Sequence, residues 1–212
     1  MCIRDRVLRT EFGQSLSSDG VQILDPFTGT GTFITRIIQN GLIRPEVLAK
    51  KYASEVHANE IMLLAYYIAA VNIEAAFHAA VGADEYQRFP GIILTDTFEM
   101  QDSPDLIANI LPENSEQRKK QKDARIRVIV SNPPWSAGQR SENDAAQNQK
   151  YPNLDSRIAT NYAHHSKATN KNSLYDSYVR AIRWASDRIG DSGVIGFVTL
   201  SLIHISEPTR PY

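Results

Sequence analysis

The chain has one cysteine, Cys2, in 212 residues. No internal disulfide and no cysteine-based metal cluster can form, which suits a reducing compartment, and the cytoplasm is the expected location. No apolar run approaches the roughly 20 residues that a membrane-spanning helix needs, so no membrane span is expected. Neither sign of charge prevails, because 23 Lys and Arg face 24 Asp and Glu for a net charge of −1. Such a balance argues against indiscriminate binding to nucleic acid. One local exception, Arg118, Lys119, Lys120, Lys122, Arg125 and Arg127, reads as a solvated basic loop. The Gly-x-Gly-x-x-Gly of dinucleotide sites and the Gly-Lys-Ser/Thr of phosphate-cradling loops are both missing, which disfavours hydride transfer and nucleotide hydrolysis. His57, His78, His164 and His165 lack the spacing of a ligand set. They read as surface or packing residues, and no metal site is expected.

The two ends share an origin. Met1-Cys2-Ile3-Arg4-Asp5-Arg6 can be encoded by ATGTGTATAAGAGACAG, and the reverse complement of that DNA encodes Leu200-Ser201-Leu202-Ile203-His204. Both therefore resemble translations of one inverted-repeat tag, similar to the transposon adapter used in preparing sequencing libraries. Residues 1–6 and 200–212 are accordingly set apart from the fold, and residues 7–199 are expected to be part of a catalytic domain from a longer protein. About 190 residues are enough for one α/β domain with a full core.

Between the ends, short strands alternate with helices. Residues 21–25 form an apolar strand, followed by a helix over 33–40 that Gly41 closes. Pro45 opens a second helix, to about residue 52, in a position that proline favours. Residues 55–59 read as a strand, and 61–72 as a helix apolar almost all round and hence buried, with Tyr66 and Tyr67 in the core. Further strands are expected at 91–95, 127–131 and 193–199, a charged helix or loop at 101–124, and a helix over 174–189. The stretch 136–173, rich in Asn, Gln, Ser and Lys, reads as a nearly structureless connection, which inside a domain is functional or disordered. This is the pattern of an α/β fold, a Rossmann-like doubly wound parallel sheet truncated after its fifth strand, with ligands at the carboxyl ends of the strands.

The residues that carry chemistry fall at those ends. After the first strand comes Asp25-Pro26-Phe27-Thr28-Gly29-Thr30-Gly31. Its glycines let backbone approach a ligand closely, and the helix start presents free N–H groups. After the fourth strand comes Asn132-Pro133-Pro134-Trp135. Each proline fixes its own φ and forces its predecessor into an extended shape, so the chain makes a rigid corner that presents acceptors. The Asn132 side-chain carbonyl and the Pro133 backbone carbonyl can take both hydrogens of a planar amine. Trp135 offers a flat face, and base stacking on such a face is worth about 1 to 3 kcal/mol.

In kind and order these motifs resemble those of S-adenosylmethionine-dependent amino-methyltransferases, in the arrangement of the γ-type adenine-N6 DNA methyltransferases. More narrowly, His57-Ala58-Asn59-Glu60-Ile61, Tyr151-Pro152-Asn153-Leu154-Asp155 and Leu174-Tyr175-Asp176-Ser177-Tyr178 are similar to the methyltransferase part of Type ISP restriction-modification enzymes. Those enzymes fuse nuclease and helicase to the methyltransferase. The resemblance implies S-adenosylmethionine as cofactor, bound by Asp25, Pro26, Phe27, Thr28, Gly29 and Gly31, with its ribose on Glu60 or Glu55. Glu60 is preferred because Asn72 follows it by twelve residues. Asp96 would lie near the cofactor adenine or the target amine. Asn132, Pro133, Pro134 and Trp135 would hold an adenine flipped out of DNA, with target-recognition, helicase and nuclease regions covalently linked. Methyltransferases of protein glutamine or of guanine N2 in RNA use the same corner, and a cofactor-binding remnant without activity is a third reading. The isolated chain is expected to bind S-adenosylmethionine weakly or not at all and to methylate DNA poorly.

Overall fold

The strands form where β-branched residues cluster and pair in parallel. The computed structural model describes residues 3–82, 85–100, 112–134, 150–165 and 172–198. Its five strands are β1 (Gln22–Asp25), β2 (Val56–Glu60), β3 (Ile92–Leu94), β4 (Ile126–Ser131) and β5 (Val194–Phe197). They make one parallel sheet in the order β3-β2-β1-β4-β5. Each strand lies within the expected stretch or runs over it by one residue. Between β1 and β4 the winding reverses, which opens a crevice at the carboxyl ends of the central strands.

Helices cover both faces. On one face lie α1 (Ile3–Phe12), α2 (Thr32–Gln39), α3 (Pro45–Ser54) and α4 (Leu63–Val81). On the other lie α6 (Pro152–Ile158) and α7 (Ser177–Ile189). The intervening α5 (Pro112–Asp123) packs beside β3. The strands serve both cores by alternation, as Ile23 joins the first and Leu24 the second. Pro45 stands at the start of α3, and the Asp176 carboxylate caps α7 by accepting from the Tyr178 N–H at 2.9 Å.

Several expectations need correction. Residues 3–6 form the start of α1, and buried Asp5 accepts from the Leu16 N–H at 3.1 Å. Helix α4 is 19 residues long, so the apolar run ends later than residue 72. By length and composition alone it would suffice to cross a membrane. One flank packs on the sheet through Ala69, Ile73 and Phe77, and buried Glu74 accepts from the Phe89 N–H at 2.9 Å. The other flank is open. Leu63, Leu64, Tyr67, Ile68 and Val71 are exposed, so Tyr66 belongs to the core and Tyr67 does not. Composition named an apolar helix without saying which side is covered.

The stretch 136–173 also holds more structure than its polarity suggests. Helix α6 and a π-helical turn (Ala159–Ala163) form there, anchored by Leu154 and Ile158 one turn apart in the core. The basic run is not a loop either, since Arg118 to Lys122 lie on α5 and Arg125 and Arg127 lie at β4. Arg118 is buried and donates to the Met100 carbonyl at 3.1 Å, and Arg127 donates to the Ser192 carbonyl at 2.9 Å.

His57, buried in β2, shares a 2.7 Å hydrogen bond with Gln22 Oε1. Burial pushes its imidazole from 6.5 down to about 4, so the ring stays neutral and donates. The folded value lies below the unfolded one. Stability is therefore full above about pH 6.5 and is lost, by about 3 kcal/mol, as pH falls through about 4. Urea midpoints measured across that window should fall in the parent chain and fall less in His57→Gln.

Candidate active site

The site begins at the end of β1. Asp25 is fully buried, and its Oδ1 accepts from Ser131 Oγ at 2.6 Å and from the Phe27 N–H at 3.3 Å. Ser131 is the last residue of β4, and its Oγ in turn accepts from the Phe27 N–H at 3.2 Å. The ends of β1 and β4 are thus joined by side chains where the ladder stops. Thr28 Oγ1 donates back to the Asp25 carbonyl at 2.8 Å, and the Thr28 N–H donates to the Asn59 carbonyl at 3.0 Å.

The turn then needs glycine. Gly29 and Gly31 have φ values of 57° and 83°, in the left-handed region. The Gly29 N–H donates to Glu60 Oε2 at 2.8 Å, and Glu60 Oε1 accepts from the Met62 N–H at 2.7 Å. From α4, Asn72 Nδ2 donates to the Thr30 carbonyl at 2.9 Å. Of the two acids weighed for one role, Glu60 stands at the carboxyl end of β2 against this turn. Glu55 precedes β2 at the opposite end, where it pairs with Lys51 and accepts from the Gly20 N–H at 3.0 Å.

Beyond β3, Asp96 Oδ1 accepts from the Phe98 N–H and Oδ2 from the Tyr151 hydroxyl, both at 2.9 Å. Burial pushes the Asp96 carboxyl above its ordinary value, and the Tyr151 bond acts against that rise. Burial likewise raises the Tyr151 phenol, which stays a neutral donor. Thr97 Oγ1 donates to the Pro26 carbonyl at 2.5 Å, and Asn59 Nδ2 donates to Thr97 Oγ1 at 3.2 Å. Phe27, Phe98 and Tyr151 form an aromatic wall, with ring centres 5.3 Å apart for the first two and 5.1 Å for the second two.

These strand ends enclose a cleft of about 280 Å³. Seven residues singled out in the sequence line it: Pro26, Phe27, Gly29, Glu60, Asp96, Asn132 and Pro134. Asp25, Thr28, Gly31 and Pro133 stand behind, shaping the turn and the corner, and Trp135 lies outside the described residues. Asn132 and Pro134 are exposed at the rim while Pro133 is buried. The sequence reading assigned no role to Ser131, Asn59, Thr97, Phe98 or Tyr151. A polar residue closing an apolar strand was a signal for Ser131, and Tyr151 opens the Tyr151-Pro152-Asn153-Leu154-Asp155 motif that carries the resemblance. Acceptors, backbone donors and an apolar wall together suit a planar, amine-bearing nucleoside better than a phosphate.

No protein-family model and no curated protein matches the chain. Solved structures do. The chain is 48% identical to the ATP-dependent Type ISP restriction-modification enzyme LlaBIII bound to DNA, with a TM-score of 0.84 over 92% of this chain and 14% of that one. Similarity links it to restriction-modification enzymes. A nuclease-deletion mutant of the Type ISP restriction-modification enzyme LlaGI, in complex with a DNA substrate mimic, is also 48% identical, with a TM-score of 0.84 over 92% of this chain and 16% of that one. A DrdV–DNA complex is 41% identical, with a TM-score of 0.86 over 96% of this chain and 20% of that one. The chain thus spans from 14% to 20% of the solved chains that it matches.

The two glycines of the turn should respond differently to alanine. A Cβ at Gly31 would lie 3.1 Å from Ile73 Cγ1, 3.2 Å from the Ala69 carbonyl oxygen and 3.3 Å from Ala69 Cα, whereas one at Gly29 meets nothing within 4 Å. Gly29→Ala should cost only the left-handed backbone penalty, about 1 kcal/mol. Gly31→Ala should cost more, about 2 to 3 kcal/mol, because α2 and α4 must also separate. Chemical denaturation of the two variants checks the order.

Proposed function

We propose that the chain is the methyltransferase segment of a restriction-modification polypeptide and transfers a methyl group from S-adenosylmethionine to the N6 amine of adenine in DNA. The observation that carries this reading is the meeting, in one cleft, of the glycine turn with its acid Glu60, of Asp96, and of the Asn132-Pro133-Pro134 corner. The residues fit the cofactor. Each Glu60 oxygen accepts one backbone N–H and keeps a further acceptor site, which suits the two hydroxyls of a ribose. Gly29 leaves open space for close approach. Asp96, a carboxylate that lines the cleft, suits an exocyclic amine, and the apolar residues Ile61 and Phe98 line the same cleft. Asp25, Pro26, Thr28 and Gly31 hold the turn in shape.

When bound, the cofactor supplies an electrophilic methyl group. The chain's own residues deal with the weakness of the nucleophile, because the N6 lone pair is delocalised into the adenine ring. The Asn132 side-chain carbonyl and the Pro133 carbonyl accept the two N6 hydrogens, which favours tetrahedral nitrogen and frees the lone pair for attack. Methyl transfer would leave N6 with a proton to lose, which the Asn132 and Pro133 carbonyls would hold by hydrogen bonding until solvent accepts it. Positioning and fixed dipoles supply most of the acceleration. Trp135 would stack on the base. The amine is out of reach inside a duplex, so the base is flipped out at a cost of a few kcal/mol.

The likeness to restriction-modification enzymes bound to DNA favours adenine in DNA over glutamine in protein or guanine in RNA. The share of those chains that it covers supports its being one segment of a longer polypeptide, and linked target-recognition, helicase and nuclease regions and a cytoplasmic location are part of the proposal. The test is made in the longer polypeptide. Asn132→Ala should lower the rate of N6-methyladenine formation in DNA at least a hundredfold while cofactor affinity changes little, by analogy with loss of one preorganised hydrogen-bonding group. Methylation at the parent rate would overturn the assignment.

A further inference from the structure

Tyr151 lies between two halves of the cleft. It enters from the connection that follows the Asn132-Pro133-Pro134 corner and reaches Asp96, 55 residues away in sequence, at the end of β3. Its own placement is closely determined. The Tyr151 N–H donates to Asp155 Oδ2 at 3.2 Å, and Arg180 binds both oxygens of Asp155, at 2.8 and 2.9 Å. The Arg180 guanidinium also lies 5.1 Å over the Tyr151 ring, whose other contact is the edge of Phe98. Such a backbone bond, cation–π contact and ring contact leave the hydroxyl one direction in which to donate.

We propose that Tyr151 is a positioning residue for Asp96, and that its hydroxyl both fixes the carboxylate in the cleft and ties the segment after the corner to the cofactor side. The proposal rests on the cofactor reading above. With Phe98 N–H on Oδ1 and Tyr151 on Oδ2, the Asp96 carboxylate cannot rotate, and it presents its remaining lone pairs to the cleft. Without the hydroxyl, one oxygen loses its side-chain donor, and only the backbone N–H groups of Phe98 and Glu99 still support the negative charge. Burial and the neighbouring Glu99 then favour the protonated acid, which accepts less well from an amine. Other charges face this group: Glu60 lies across the cleft, Asp25 is engaged by Ser131 at the end of β1, and Arg180 and Asp155 neutralise each other behind the tyrosine ring. Coupling also runs the other way, so a ligand that holds Asp96 in place steadies the segment carrying Tyr151.

Tyr151→Phe keeps the ring and removes only the hydroxyl. Carbon-13 carboxyl titration of the ligand-free 212-residue chain, with Asp96→Asn for assignment, should place the Asp96 midpoint at higher pH in Tyr151→Phe than in the parent. An unchanged midpoint overturns the proposal. Calorimetry with S-adenosylhomocysteine, made in the longer polypeptide, should show affinity about tenfold lower in Tyr151→Phe than in its parent at pH 7, as expected for a lost hydrogen bond to a charged group. That loss should deepen as pH falls and be absent in the Asp96→Asn background, a dependence that a purely structural role would not produce. Equal affinity of Tyr151→Phe and parent across pH also overturns it. If the parent binds no S-adenosylhomocysteine while the Asp96 midpoint still moves, the cofactor reading fails and the control of Asp96 by Tyr151 is upheld.

Discussion

A 2.6 Å hydrogen bond from Ser131 to the buried carboxylate of Asp25 joins the two strands between which the sheet reverses its winding. Charge-assisted bonds of this kind are short and strong, and burial removes the competition of water. Through Asp25 the bond holds the Phe27 N–H and the start of the glycine turn. Through Ser131 it sets the point where the Asn132-Pro133-Pro134 corner leaves the sheet. The distance between the turn and the corner, on which any transfer between ligands bound at each would depend, is therefore governed by one serine and one aspartate.

Glu60 does for β2 what Asp25 does for β1. Its two oxygens hold the Gly29 and Met62 N–H groups, so one acid ties the turn after β1 to the residue just before α4. Asp96 completes the series at β3. Carboxylates thus stand at or just beyond the ends of three adjacent parallel strands, each held by backbone donors, and the two that line the cleft, Glu60 and Asp96, set a demand for donors there. Hydroxyls and amines meet that demand, and phosphates do not.

Much of this was legible in the sequence because it is local. Four runs containing β-branched residues and the less marked stretch 55–59 predicted five strands, and Asp25, Glu60, Asp96 and Asn132 could be placed at strand ends by counting. Glu60 was preferred to Glu55 on the position of Asn72, and the strand bounds set the two acids at opposite ends of β2. What was not legible depends on contacts distant in sequence. Helix α6 is anchored by only Leu154 and Ile158, so averaging over a polar stretch concealed it. Tyr151 meets Asp96 across 55 residues, and no local pattern announces that contact. Apolar composition around all of α4 predicted burial, yet helices α2 and α3 cover only one flank. Tyr66 and Tyr67, adjacent in sequence, fall on opposite sides of that boundary.

The open flank of α4 has a consequence for the chain as a solute. Ile61, Met62, Leu63, Leu64, Tyr67, Ile68 and Val71 all face water, and ordered solvent is released whenever something covers them. With a net charge of only −1, long-range repulsion does little to keep molecules apart. Colloidal behaviour is therefore set by concentration and by the salt present: sulfate, which strengthens burial, drives the molecules together, and low urea, which solvates apolar groups, keeps them dispersed before the sheet itself is touched.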